Sequence, residues 1–143
     1  MNLFAKMQKY SPIMPVALTK TQFQPIYIND LIEIILRCIN MIKKKKIDTY
    51  ECVGPEIFTL YEIIKFSGIY SGRKAMVIPL PKFIGLIQAF VLEKMPGPTL
   101  MSRDNIASMS VPSIATKIKE LVFRLEQATS IHKVAPKFLS KGK

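Results

Sequence analysis

The stretch Phe23-Gln24-Pro25-Ile26-Tyr27-Ile28-Asn29-Asp30-Leu31 decides how the rest of the chain is organised. Phe23 to Ile28 is short and rich in aromatic and β-branched residues, which suits a strand. Pro25 brings no backbone N–H and so places that strand at an edge. Asn29 or Asp30 then supplies a helix cap. Beyond it Leu31, Ile34, Ile35, Cys38, Ile39 and Ile42 recur at helical spacing, which predicts a helix to Ile42. Strands alternating with helices are the pattern of an α/β fold.

The alternation continues on both sides. Met1 to Tyr10 sets Leu3, Met7 and Tyr10 on one face and reads as a short helix, stopped by Pro12 and Pro15. Thr49 to Val53 reads as a second strand, ended by Gly54-Pro55-Glu56. Thr59 and Glu62 form a capping box, opening a helix with Leu60, Ile63, Ile64 and Ser67 inward and Gly68 as its stop. Ala75 to Leu80 is a third strand, confined to an edge by Pro79 and Pro81. The helix Lys82 to Glu93 is apolar nearly all round, so it is either fully buried or covers a partner. Met95-Pro96-Gly97-Pro98 breaks the chain, and Ser102 caps a short helix through Met109. Ser113 to Glu126 carries Ile118, Leu121, Val122 and Leu125 at helical spacing. The tail from Ile131 is short and basic, with Val134, Phe138 and Leu139 as anchors.

The expected fold is therefore α/β, with few short strands, several helices and an incomplete parallel sheet. A parallel sheet needs neighbouring strands and cover on both faces, and three edge-like strands do not make a self-sufficient one. The expected organisation is a single partial domain. Residues 1–22 are helix and linker, 23–94 the αβ core, and 95–143 a helical and basic tail.

The 143 residues are close to the ~150 expected of one domain. Lys and Arg number 21 against 10 Asp and Glu, a formal charge of +11. A single histidine, His132, excludes any triad or zinc site that needs two. Two cysteines cannot staple a disulfide-rich scaffold, and Cys38 and Cys52 read as reduced core thiols. The lysine block Lys43 to Lys46 has two readings: a solvated helix end, or an electrostatic patch for nucleic acid or an anionic membrane. Lys outnumbers Arg 17 to 4, which makes nucleic acid an unlikely partner, because Arg is the better fork for phosphates and bases. Lys133, Lys137, Lys141 and Lys143 form a second basic cluster. Met1 to Tyr10 lacks a signal peptide's apolar core, and the most apolar stretch, Phe83 to Leu92, is roughly half of a membrane span. The expected location is cytoplasmic, with a peripheral seat at the inner face of an energy-transducing membrane as its variant.

One catalytic pattern occurs, Tyr61-x-x-x-Lys65, in which a lysine one turn away lowers a tyrosine's pKa for proton transfer. Thr59 caps the helix two residues earlier, and the pair reads as a surface pair. None of the six glycines falls in a phosphate-binding loop, and no metal-ligand spacing is present. No catalytic, cofactor-binding or metal residue is assigned from the residues themselves.

The order of the motifs resembles the extended and atypical short-chain dehydrogenases, a family of NAD(P)-binding, epimerase-like proteins. Phe23 to Leu31 is similar to that family's F-Q-P-V-Y-V-D-D-V, and Thr49 to Glu56 to T-Y-E-L-G-G-P-E. Phe58 to Ile63, Val77 to Pro81, Pro96 to Asn105 and the tail Thr129 to Leu139 match further segments in order. The resemblance is strongest to the branch that includes the dehydrogenase-like accessory subunit of respiratory complex I, the NADH:ubiquinone oxidoreductase. It covers only the C-terminal half of the family fold, without the phosphate loop, the ribose selector or the catalytic Tyr/Lys position. Val53 replaces a family glycine, Asn29 one of two aspartates, and Ser113 to Phe123 has no close counterpart.

The resemblance implies a C-terminal lobe that is not catalytic alone, with no cofactor of its own. NAD or NADP is expected only for the complete family fold. Thr49 to Val53 would be the outer strand of the large sheet. Phe23 to Ile28 and Ala75 to Leu80 would share the smaller lobe, with Lys82 to Glu93 facing the cleft or a partner. Gln24, Tyr27 and Arg103 are the residues expected near that cleft. The implied partners are an N-terminal Rossmann half or respiratory-complex subunits, with peripheral membrane contact besides. The alternatives are a structural interaction protein docked on a membrane-associated respiratory assembly and, ranked last, a basic nucleic-acid-binding module.

Overall fold

A computed structural model describes residues 1–42, 49–94, 102–116, 122–123 and 125–139. The element order is α1 (Asn2–Tyr10), β1 (Ile13–Ala17), β2 (Gln22–Phe23), α2 (Ile28–Ile42), β3 (Glu51–Cys52), β4 (Phe58–Thr59), α3 (Leu60–Ser71), β5 (Met76–Leu80), α4 (Lys82–Lys94), α5 (Arg103–Ser108), β6 (Val122–Phe123) and α6 (Ile131–Leu139). This is α/β with short, fragmentary sheets, as the alternation predicts.

The central pair is β1 and β5, parallel from Ile13 opposite Met76 to Ala17 opposite Leu80. Strand β1 is a correction: Pro12 and Pro15 pointed to a break, yet Ile13–Ala17 is a strand. A two-stranded sheet leaves an outer edge on each strand, and there the missing N–H of Pro15 or Pro79 is tolerated. Along β1 the side chains alternate, so Met14 and Val16 enter one core with Leu60 and Ile64 while Ala17 enters another with Ala89 and Ile106. Residues 1–22 thus carry core rather than linker. Leu18 leaves the strand at φ 57, a strained region for a branched side chain. The turn it opens holds α3, since Tyr61 N–H donates to the Thr19 carbonyl (3.0 Å) and Leu60 N–H to that of Thr21 (2.9 Å).

Two smaller pairings occur among the described residues: β2 with β4, antiparallel, and β3 with β6, parallel. The expected strand Phe23 to Ile28 is reduced to Gln22–Phe23, followed by irregular chain over 24–27. Helix α2 starts at Ile28, so Asn29 and Asp30 lie inside its first turn rather than capping it. The buried Asp30 carboxylate instead accepts from the Thr129 N–H (2.6 Å) and hydroxyl (2.9 Å), anchoring the approach to α6. The strand Thr49 to Val53 shrinks to Glu51–Cys52. Cys38 and Cys52 are free and half-buried, and burial first, then the neighbouring Cys38, pushes the Cys52 thiol up.

The predicted helix Ser113 to Glu126 is also corrected. Ser113 bridges Phe23, donating to the Gln22 carbonyl (2.8 Å) and accepting from the Gln24 N–H (2.9 Å). Ala115 N–H goes to Gln24 Oε1 (3.0 Å) and Thr116 N–H to Glu51 (2.7 Å), so these donors serve other elements. Val122–Phe123 is a strand. Residues 117–121 and 124, the lysine block 43–46, the Met95 to Pro98 break, and Lys141 and Lys143 lie outside the described residues.

Helix α3 has the capping box, with Glu62 N–H donating to Thr59 Oγ1 (3.3 Å) and Thr59 N–H to the Glu62 carboxylate (2.7 Å). Its stop is Gly72, left-handed at φ 75, and not Gly68. Gly68 lies inside the helix, at a position where a Cβ would come within 2.2 Å of Gln8 Oε1. The Thr59 backbone and hydroxyl hold the Glu62 carboxyl below the ordinary glutamate range. A depressed folded pKa adds stability above the unfolded value, and that stability is lost as pH falls through the folded one. Thr59→Ala is therefore expected to cost about 1 kcal/mol at neutral pH. It should also flatten the acid-side fall in thermal midpoint below the ordinary glutamate range, measured by circular dichroism across pH.

Candidate functional site

An open cavity of about 650 Å³ is bordered by α1, the 23–28 loop, α3 and α6. Phe23, Gln24, Pro25, Ile26, Tyr27 and Ile28 form one wall, Met1 and Leu3 a second, and Ile131, Val134, Ala135, Phe138 and Leu139 a third. Ile63, Ser113 and Thr129 complete it. Local sequence builds this wall for a reason: Gly54 approaches the Pro25 carbonyl so closely that any Cβ would lie 1.9 Å from the oxygen. Gln24 ties the two loops and the 113–115 segment together, its Nε2 donating to the Gly54 carbonyl (2.9 Å).

Helix α6 is held by Asp30, by a Ser130 hydroxyl donating to Glu56, and by an aromatic cluster on its first turn. There His132 lies edge-on to Phe66 (4.6 Å between centroids), and its Nδ1 is 2.7 Å from the Tyr70 hydroxyl. Tyr27 faces Phe138 across the mouth at 6.5 Å, and its hydroxyl accepts from Asn29 Nδ2 (3.1 Å).

Of the residues expected near a cleft, Gln24 and Tyr27 both line this cavity. Arg103 does not; it opens α5 and pairs with Glu93 of α4 (3.0 Å). The lining from α6 was only half legible: Val134, Phe138 and Leu139 read as anchors, with no sign of what they anchor to. Tyr61 and Lys65 border a separate recess of about 220 Å³ beside β5 with Gln8 and Lys74.

Chemically the cavity suits an apolar guest. Its walls are mostly aliphatic and aromatic, and both polar atoms of the Gln24 amide are already bonded. A pyrophosphate needs N–H groups or cations, and the α2 first turn at this wall already holds the Asp30 carboxylate. Among the described residues no group of three or more metal-binding side chains occurs, and no helix is long and apolar enough to cross a membrane.

Fold and cavity together define an α/β chain whose sheets are fragments, consistent with part of a Rossmann-like fold. The chain is 24% identical over 123 residues to subunit 9 of the NADH dehydrogenase (ubiquinone) 1 alpha subcomplex, a mitochondrial protein of Arabidopsis thaliana. That similarity takes in 80% of this chain but only 30% of the length of the plant protein. It agrees with the complex I branch to which the motif series pointed. No family model matches the chain.

Proposed function

We propose that this chain is a non-catalytic accessory lobe, related to a subunit of a respiratory NADH:ubiquinone oxidoreductase, that contributes the C-terminal lobe of a short-chain-dehydrogenase-like fold. The observation that carries this reading is the fragmentary parallel pairing. Among the described residues β1–β5 spans five residues and β3–β6 two, and each pair has open edges. Parallel strands are stable inside larger covered sheets, so such edges suit completion by another α/β surface. The distant likeness to a complex I subunit supports the same reading. The partners it implies are an N-terminal Rossmann half or neighbouring respiratory subunits, and any NAD or NADP would be held by that complement.

The test is calorimetric titration of the chain with NADH and with NADPH. Heats indistinguishable from dilution are expected, because none of the six glycines forms a phosphate-binding loop at a helix start. Stoichiometric binding to either cofactor would refute the accessory-lobe reading.

A further inference from the structure

We infer that the outward face of α4 is a seat for an anionic lipid surface, with the helix lying in the plane of the headgroups. This goes beyond the accessory-lobe reading and does not rest on it. Helix α4 packs on the fold through its small residues: Gly85 and Ala89 are buried, and a Cβ on Gly85 would come within 2.3 Å of Ala17. Its large residues point away. Phe83 is 65% exposed, Ile87 61%, Val91 54% and Phe90 47%. At 3.6 residues per turn these four share one side of the helix, so the orientation is the inverse of an ordinary surface helix.

Charge decides which occupant this face suits. Lys82 and Lys94 stand exposed at its two ends. Lys94 Nζ lies 5.7 Å from the Phe90 ring centroid, and the Arg103 guanidinium 5.4 Å. Lys94 and Arg103 thus border the C-terminal end of the apolar face at Phe90, an arrangement that suits snorkelling side chains at a membrane surface. The helix's one carboxylate, Glu93, is taken up by the Arg103 N–H (2.6 Å) and Nε (3.0 Å). Lys82 also sits at the positive end of the helix dipole with no acid in the first turn, so an anion outside the protein relieves both. A helix of 13 residues is about 20 Å long, short of the ~30 Å hydrocarbon core and suited to lying flat. A second copy stacked face to face would oppose the same cations, and an anionic surface does not.

The test is co-sedimentation of the full chain with vesicles of phosphatidylcholine alone and of phosphatidylcholine with phosphatidylglycerol. Binding is expected to the mixed vesicles and to be about tenfold weaker without the anionic lipid. Phe83→Ser/Ile87→Ser, at positions already mostly in water, should weaken it about tenfold or more. Lys82→Gln and Lys94→Gln should each weaken it about fivefold and leave the thermal midpoint unchanged. The proposal is overturned if no vesicle is bound, if the serine variant binds as the parent does, or if the lysine variants and the anionic lipid make no difference. It is overturned equally if the serine variant abolishes self-association while vesicles are ignored, which would give the face to a second copy.

Discussion

Gly54→Ala is expected to lower the thermal midpoint by about 10 °C, corresponding to about 3 kcal/mol, at the upper end of what overpacking costs. The added Cβ would lie 1.9 Å from the Pro25 oxygen, 2.9 Å from its carbonyl carbon and 3.3 Å from the Ile26 Cα. All three are backbone atoms, so no side chain can rotate out of the way. The 23–28 loop must part from the 53–56 loop, and the Gln24 to Gly54 hydrogen bond goes with it. The cavity wall moves too, so a hydrophobic dye bound there should be released. Gly72→Ala is the control: its Cβ meets nothing within 4 Å, and only the left-handed φ of 75 penalises it, by about 1 kcal/mol. Scanning calorimetry of the two variants should separate them clearly, and equal midpoints would remove the close approach as a determinant of the fold.

Gln8→Ala is expected to destabilise by about 2–4 kcal/mol, read as a lower denaturation midpoint with an unchanged m-value. Gln8 is buried where α1, α3 and the start of β5 meet. Its Nε2 donates to the Ile64 carbonyl (2.9 Å) and Ser67 Oγ (3.0 Å), and its Oε1 accepts from the Ala75 N–H (3.1 Å). Truncation orphans the Ala75 donor in a place water does not reach easily and leaves a cavity besides. Gly68→Ala collides with the same amide, at 2.2 Å, and with the Arg73 carbonyl at 2.8 Å. The two substitutions should therefore combine less than additively, since removing Gln8 removes one of the two clashes. Strict additivity would show that the glycine answers to Arg73 alone.

The parts of the fold that were legible in sequence are those whose causes are local. Thr59 and Glu62 are three residues apart and cap a helix by themselves. Ser102, its hydroxyl accepting from Asn105 N–H (3.1 Å), does the same for α5. The parts that were not legible have tertiary causes. Pro15 reads as a breaker until β5 is known to run beside it. Gly68 reads as a stop until Gln8 is known to occupy the space of its side chain. Ser113 to Glu126 has helical spacing, but β2 and the Gln24 amide claim its first backbone groups. Within the cavity, Gln24 and Tyr27 stand in the motif that drew notice to them. Thr129 and Ile131 enter only because Asp30 draws them in from 99 residues away in the chain.

The same distinction explains α4. Its all-round apolar sequence was legible, but which side the fold would use was not. Gly85 and Ala89 settle that, because only small residues allow the helix axis to come close to Ala17. The consequence is that Phe83 and Ile87, along with Ile32, Leu36 and Ile39 of α2, remain largely in water. Exposed apolar surface on this scale marks a chain with surfaces still to be covered.

Sedimentation velocity over a range of concentrations tests that claim most directly, on the chain alone and on the chain co-expressed with an N-terminal half bearing a Gly-rich phosphate loop. Alone, the chain should bind a hydrophobic dye and form oligomers as concentration rises, with a broad thermal transition. With the complementary half it should sediment as a 1:1 species, bind less of the dye and unfold sharply. A chain that remains a monodisperse monomer at every concentration, binds no dye and unfolds cooperatively by itself would contradict the account, because its open edges and apolar faces would then need no partner.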